Sequence, residues 1–242
     1  MTSSVRLDRL LANLGYGSRR EMQRLAKAGE IELDGAPLSD AGARIALSGD
    51  LSQRLTVSGE PLDPPPPLTL VFNKPLGVVC SHREAGRSIY ELLPPRWRMR
   101  EPALSTIGRL DADTSGLLLV TDDGGFLHRV ISPKAHVAKV YLASLDRPLN
   151  GTESATFASG TLMLENETAP LKPAVLEVLS PTTARLTITE GRYHQVRRMF
   201  AAVANHVTAL HRERIGGLGL PSDLAPGDWR IATLEELAAI FG

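Results

Sequence analysis

The sequence predicts an α+β protein: a small α+β module at the N-terminus, then a larger domain built on a mixed, largely antiparallel sheet. Three observations carry this. Strand-like stretches follow one another as hairpins, as at 174–179 and 184–189 around Pro181-Thr182-Thr183, with few regular strand–helix–strand units. Helical apolar spacing is confined to short segments. Asp63-Pro64-Pro65-Pro66-Pro67 interrupts the chain with a stiff run poor in backbone donors. The expected division is 1–62 for the module, 63–67 for a tether that lets it swing, and 68–242 for the second domain.

Each element has a local reason. Leu7, Leu10, Leu11 and Leu14 recur at helical spacing and Gly15 stops that helix. Ser18-Arg19-Arg20-Glu21 has the capping-box form, in which Ser18 and Glu21 satisfy free N–H groups at a helix start; Met22, Leu25 and Ala26 form its inner face. Ile31 and Leu33 alternate with Glu32 and Asp34 before Gly35, a strand entering a turn. Beyond the prolines, strands are expected at 68–72, 116–120, 140–145 and 207–215, besides the hairpin. Val196, Met199, Phe200 and Val203 mark one helix, and Thr233 with Glu236 caps the last.

Apolar residues make up 43% and charged residues 22% of the 242, an ordinary globular composition with room for a real core. No apolar run has the length of a membrane span, and the N-terminal stretch Met1–Arg6 leads into an amphipathic pattern instead of a signal-peptide core. Cys80 stands alone, so neither an intrachain disulfide nor a thiolate cluster can form. A cytoplasmic monomer with no membrane partner is the default. The net charge is zero, yet Arg19, Arg20, Arg24 and Lys27 cluster early and Arg192, Arg197, Arg198, Arg212 and Arg214 late. Two basic patches far apart suit a long polyanion.

The most informative stretch is Gly108-Arg109-Leu110-Asp111-Ala112-Asp113-Thr114-Ser115-Gly116. Asp111, Asp113, Ser115, Gly116 and Asp122 match positions of a calcium-binding loop, but such a loop lies between helices and here the flank Leu117–Val120 reads as a strand. A tight turn whose side chains cap backbone N–H groups is the plainer structural account. His194, His206 and His211 fit no common metal-ligand spacing.

Gly-Arg-Leu-Asp-x-x-Thr-Ser-Gly-Leu-Leu-Leu resembles the catalytic signature of RNA pseudouridine synthases. So do Asn73-Lys74-Pro75-Leu76-Gly77, Lys139-Val140-Tyr141 and Glu190-Gly191-Arg192-Tyr193-His194-Gln195-Val196-Arg197-Arg198-Met199-Phe200. The first 35 residues resemble the S4 RNA-binding domain. Leu171–Val178 and His211–Gly217 look most like the branch that acts on small-subunit (16S) ribosomal RNA, at uridine 516.

The resemblance implies an isomerase that needs no cofactor. It gives Asp111 the bond-breaking role, Arg197 the pairing with Asp111, and Tyr141 a place against the uracil. It also has Arg109 holding the flipped nucleotide and Lys74 supporting the site at the substrate. Arg192 and Arg198, with the S4 residues Arg19, Arg20, Arg24 and Lys27, are expected on the RNA backbone. The partner implied is 16S rRNA, within a small-subunit assembly particle. The same reaction on 23S rRNA, and a non-catalytic S4-type assembly factor, are the alternatives.

Overall fold

The computed structural model describes residues 4–81 and 85–242; Met1–Ser3, where the N-terminal reading begins, lie outside it. The chain divides into two compact units, and the first is not contiguous: Met1–Leu68 is joined by Leu93–Ser105 and Thr121–Asp123.

In the first unit, α1 (Leu7–Asn13) and α2 (Arg19–Lys27) pack together. Leu7, Leu10, Leu11, Leu14, Met22 and Ala26 close over Ile31, Leu55 and Val57 of a four-stranded sheet. The capping box forms as the sequence requires, Ser18 accepting from the Glu21 N–H and Glu21 accepting from the Ser18 N–H at 2.7 Å. Gly15 has φ +88°, and a Cβ there would sit 2.6 Å from the Arg96 carbonyl, so only glycine lets the two backbones meet. The proline run is fastened at its start. Arg96 donates to both Asp63 oxygens at 2.7 and 3.1 Å, the Asp63 N–H donates to Tyr16 Oη at 2.9 Å, and Arg100 donates to the Pro64 carbonyl at 2.9 Å.

Two carboxylates in this unit carry unusual weight. Asp122 and Arg100, each 1% exposed, pair at 3.0 Å, while the other Asp122 oxygen accepts from the Leu68 N–H at 2.7 Å. Asp8 is 5% exposed and receives Arg6 at 2.9 and 3.1 Å and Arg19 at 2.9 Å. The Arg6 hydrogen bond, helped by Arg19, lowers its pKa to about 2 against the opposing effect of burial. A depressed carboxylate pKa stabilises the fold above the unfolded value and loses that contribution as pH falls through the folded one. Wild type should therefore lose about 1–2 kcal/mol between about pH 4 and 2 that Asp8→Asn never had; the half-exposed guanidiniums and solvent screening hold the figure down. Parallel urea curves for the two proteins across that window would reject the assignment.

The second unit holds a sheet of nine strands among the described residues. Its main strands are β1 (Thr69–Lys74), β2 (Thr114–Thr121), β3 (Lys139–Leu145), β4 (Val175–Ser180), β5 (Thr183–Ile188), β6 (Val207–Ile215) and β7 (Trp229–Ile231). Their order is β4-β5-β3-β6-β2-β1-β7. β2 runs parallel to β6, while β3 is antiparallel to both β5 and β6. The architecture is α+β, as expected. Helix α3 (Gly124–Ile131) and the C-terminal α6 (Leu234–Ala239) cover Val71, Leu117 and Leu119 of the sheet. Between them come α4 (Glu153–Ala158) and α5 (Gln195–Ala202), and Phe157 and Phe200 meet edge-to-face at 5.3 Å. Among the described residues, no helix is long and apolar enough to cross a membrane.

Candidate active site

The Gly108–Gly116 stretch is the entry to β2, and its shape has three backbone causes. Gly116 has φ +107° and pairs with Arg212 of the parallel strand β6; a Cβ would lie 2.3 Å from the Arg212 carbonyl. The glycine that matched the bend of a calcium loop is thus explained by strand-to-strand approach. The Thr114 N–H donates to the Asp111 carbonyl at 3.0 Å and the Gly77 N–H to that of Ala112 at 2.7 Å.

Lys74, at the end of β1, is the third cause. It is fully buried and its Nζ donates to the carbonyls of Pro75, Asp111 and Thr114 at 3.1, 2.9 and 2.8 Å. Burial lowers its pKa, opposed by the charges of Asp111 and Asp113. Expected at the substrate, Lys74 instead clamps the turn, because all three of its donors are spent on carbonyls.

Asp111 is left with its backbone fixed and its carboxylate 35% exposed. Its Oδ1 lies 3.3 Å from His194 Nε2, a partner not anticipated from the sequence. His194 heads α5 at φ +47°, a left-handed conformation that costs a non-glycine residue about 1–2 kcal/mol. The loop before it is shaped by Gln195, whose Oε1 accepts from the Arg192 N–H at 2.8 Å. Tyr193 stacks on His194 at 3.8 Å between centroids and is 75% exposed.

Arg197 does not pair with Asp111. Carbonyls of Val207 and Asp113 hold its guanidinium at 2.9 and 3.0 Å, and in that pose it meets the Asp113 carboxylate at 2.9 Å. With Asp113 on Arg197 and Asp122 on Arg100, two of the proposed calcium ligands are engaged elsewhere. Arg109 is exposed in the turn. Tyr141 is 8% exposed and faces Arg212 across β3 and β6, with its Oη 3.4 Å from Nη1. Arg212, 2% exposed, also donates Nε to the Leu117 carbonyl at 2.7 Å. Inward alternation of Leu210 and Arg212 along β6 was the available signal for it.

Arg192 and Arg198 are not spread for a phosphate backbone. Both bind Glu167, at 3.1 and 2.8 Å, and both donate to carbonyls nearby, Arg192 to Ala169 and Pro170 and Arg198 to Tyr193 and Glu165. Arg198 and then Arg192 hold the Glu167 carboxyl below its usual range. In the first unit, Arg19 is tied to Asp8, and Arg20, Arg24 and Lys27 share an exposed stripe of α2 opposite Met22 and Ala26.

An RNA pseudouridylate synthase family model matches residues 68–202, and an S4 domain model matches residues 5–51. The ribosomal small subunit pseudouridine synthase A of Escherichia coli (strain K12) is 43% identical over 240 residues, covering 98% of this chain and 100% of that one. An uncharacterized RNA pseudouridine synthase of Bacillus subtilis (strain 168) is 40% identical over 238 residues, covering 96% and 97%. A solved crystal structure of pseudouridylate synthase superposes with a TM-score of 0.68 at 36% identity, covering 98% of this chain and 99% of its own. Fold, turn and full-length similarity agree: the chain belongs to the RNA pseudouridylate synthase family, with an S4 domain ahead of the synthase domain.

Proposed function

We propose that the chain converts a uridine of small-subunit ribosomal RNA, position 516 of 16S rRNA, to pseudouridine, with Asp111 as the acting carboxylate. The observation that carries this reading is the Asp111 turn: a part-exposed carboxylate whose backbone is clamped by a buried lysine. Full-length similarity to small-subunit enzymes supports the choice of RNA.

Isomerisation breaks the N1–C1′ bond, turns the uracil and joins C5 to C1′; C5 gives up its proton and N1 ends protonated, so no atom is gained or lost. Redox state is unchanged and no group donor is consumed. A carboxylate at C1′ acts by attacking the carbon, by stabilising oxocarbenium charge, or by removing the C2′ proton. Each route needs Asp111 ionised, and His194 is the group placed to hold its orientation. Arg197 keeps the turn's shape through Asp113 instead of contacting Asp111. Tyr141 is buried beside Arg212, and to Arg109, exposed in the turn, we assign entry into the space left by a nucleotide that has unstacked, a step costing a few kcal/mol.

Mapping pseudouridine in both large rRNAs of a deletion strain tests the assignment. The expected result is loss of one 16S modification, restored by the wild-type gene and not by an Asp111→Asn copy. Loss of a 23S modification would move the substrate to the large subunit. No loss in either would leave the S4-type assembly factor as the reading.

A further inference from the structure

β3 and β6 pair Tyr141 with Arg212, Leu142 with His211, and Ser144 with Ala209; β2 and β6 pair Ser115 with His211. Side chains alternate across a sheet, so Leu142, Ser144, Ala209, His211 and Ser115 share the face opposite Tyr141 and Arg212. That face carries a cleft of about 470 Å³, lined by these residues together with Leu76, Gly77, Ala112 and Asp113, where the Gly77 N–H bonds the Ala112 carbonyl. Its volume is that of a small-molecule site. Ala112 and Asp113 directly follow Asp111, so the cleft begins where the proposed reaction site ends.

The lining chooses among the parts of an RNA. Among the described residues it holds no lysine or arginine, and its one charged group is the Asp113 carboxylate, already on Arg197. A phosphate would find no lysine or arginine in the lining and only a carboxylate that Arg197 already offsets, whereas a neutral base would meet leucine side chains and a few hydroxyls. His211 Nδ1 is held by Ser115 Oγ at 2.9 Å, which leaves Nε2 as the ring's remaining polar edge; burial also lowers the His211 pKa, favouring the neutral ring. Apolar walls with a few placed polar groups are how pockets take a neutral organic ring, and an unstacked base offers one along with hydrogen-bonding edges.

We propose that this cleft holds a second nucleobase, that of a nucleotide adjacent to the target uridine, so that the enzyme unstacks two bases across the Asp111 turn, one on each side. The proposal rests on the RNA substrate proposed above, and its test separates the two. A 16S rRNA fragment bearing the target uridine is prepared with an abasic site at the 5′ or the 3′ neighbour. One of these should raise the wild-type KM about tenfold, with kcat within about threefold. Ala209→Trp fills the cleft from an exposed strand position and should raise KM on intact RNA, with no further rise on the abasic fragment. Equal KM penalties from base removal in both proteins, or none in either, overturn the cleft assignment. With wild type, 4-thiouridine at that neighbour should photocrosslink to residues 142–144 or 208–211, and crosslinks confined elsewhere or absent count against it. A wild type that crosslinks in the cleft but makes no pseudouridine overturns the proposed reaction alone.

Discussion

Asp111→Asn should reduce pseudouridine formation by more than about 10³-fold while leaving RNA affinity within about threefold, because an amide keeps the size of the carboxylate and loses its charge and nucleophilicity. The backbone reasons for the turn survive the change: Lys74 and Thr114 bond the Asp111 carbonyl and not its side chain. Stability should therefore stay close to that of wild type, and the loss should fall on kcat. Single-turnover assays with saturating RNA, alongside filter binding, read both quantities. A variant that retained even a tenth of the activity would remove Asp111 from the bond-breaking role.

Lys74→Met should be damaging in two ways at once. Methionine fills the space of the lysine stem but leaves the carbonyls of Pro75, Asp111 and Thr114 without their donor. A buried polar group stripped of its partner costs about 1–3 kcal/mol, and relief from burying an ammonium returns part of it. A net loss of about 3 kcal/mol is expected in denaturant unfolding. The Asp111 carbonyl would also be released, and a displacement near 1 Å costs about 10²-fold in rate. The pattern matters as much as the size. A lysine on RNA would show a raised KM and a shallower salt dependence; a lysine that holds the turn shows a lowered kcat with the salt slope unchanged. A salt slope reduced by about one would return Lys74 to the substrate.

Local chemistry was readable in the chain. The Ser18–Glu21 and Thr233–Glu236 capping boxes form as their four-residue patterns require, and the hairpin around Pro181 and the strand at 207–215 form where alternation and turn residues place them. Charge pairing was not readable. Arg197 meets Asp113, two residues along the turn from the anticipated Asp111, because the carbonyls of Val207 and Asp113 decide where its guanidinium goes. Lys74 looked like a basic residue beside a catalytic motif, and only the sheet shows that it is enclosed. The left-handed backbone of His194 was not readable, since histidine visits that region more often than most side chains yet only a minority of histidines do so. Arg192 and Arg198 are engaged within the domain because one glutamate, Glu167, reaches both.

The interrupted first unit bears on the order in which the protein is made. The S4 match ends at residue 51, but Gly15 and Asn13 meet Arg96 and Glu101, and Arg100 finds its carboxylate only at Asp122. Domains emerging from the ribosome fold as units, N-terminal first. Here the core of the earliest helices lies between Leu7 and Leu62, but their contacts with Leu93–Ser105 form only after a segment translated some seventy residues later. By the time Asp123 completes that unit, the Asp111 turn has already been synthesised, so the unit that carries the S4 match gains its last contacts only after the proposed reactive turn has left the ribosome's decoding centre.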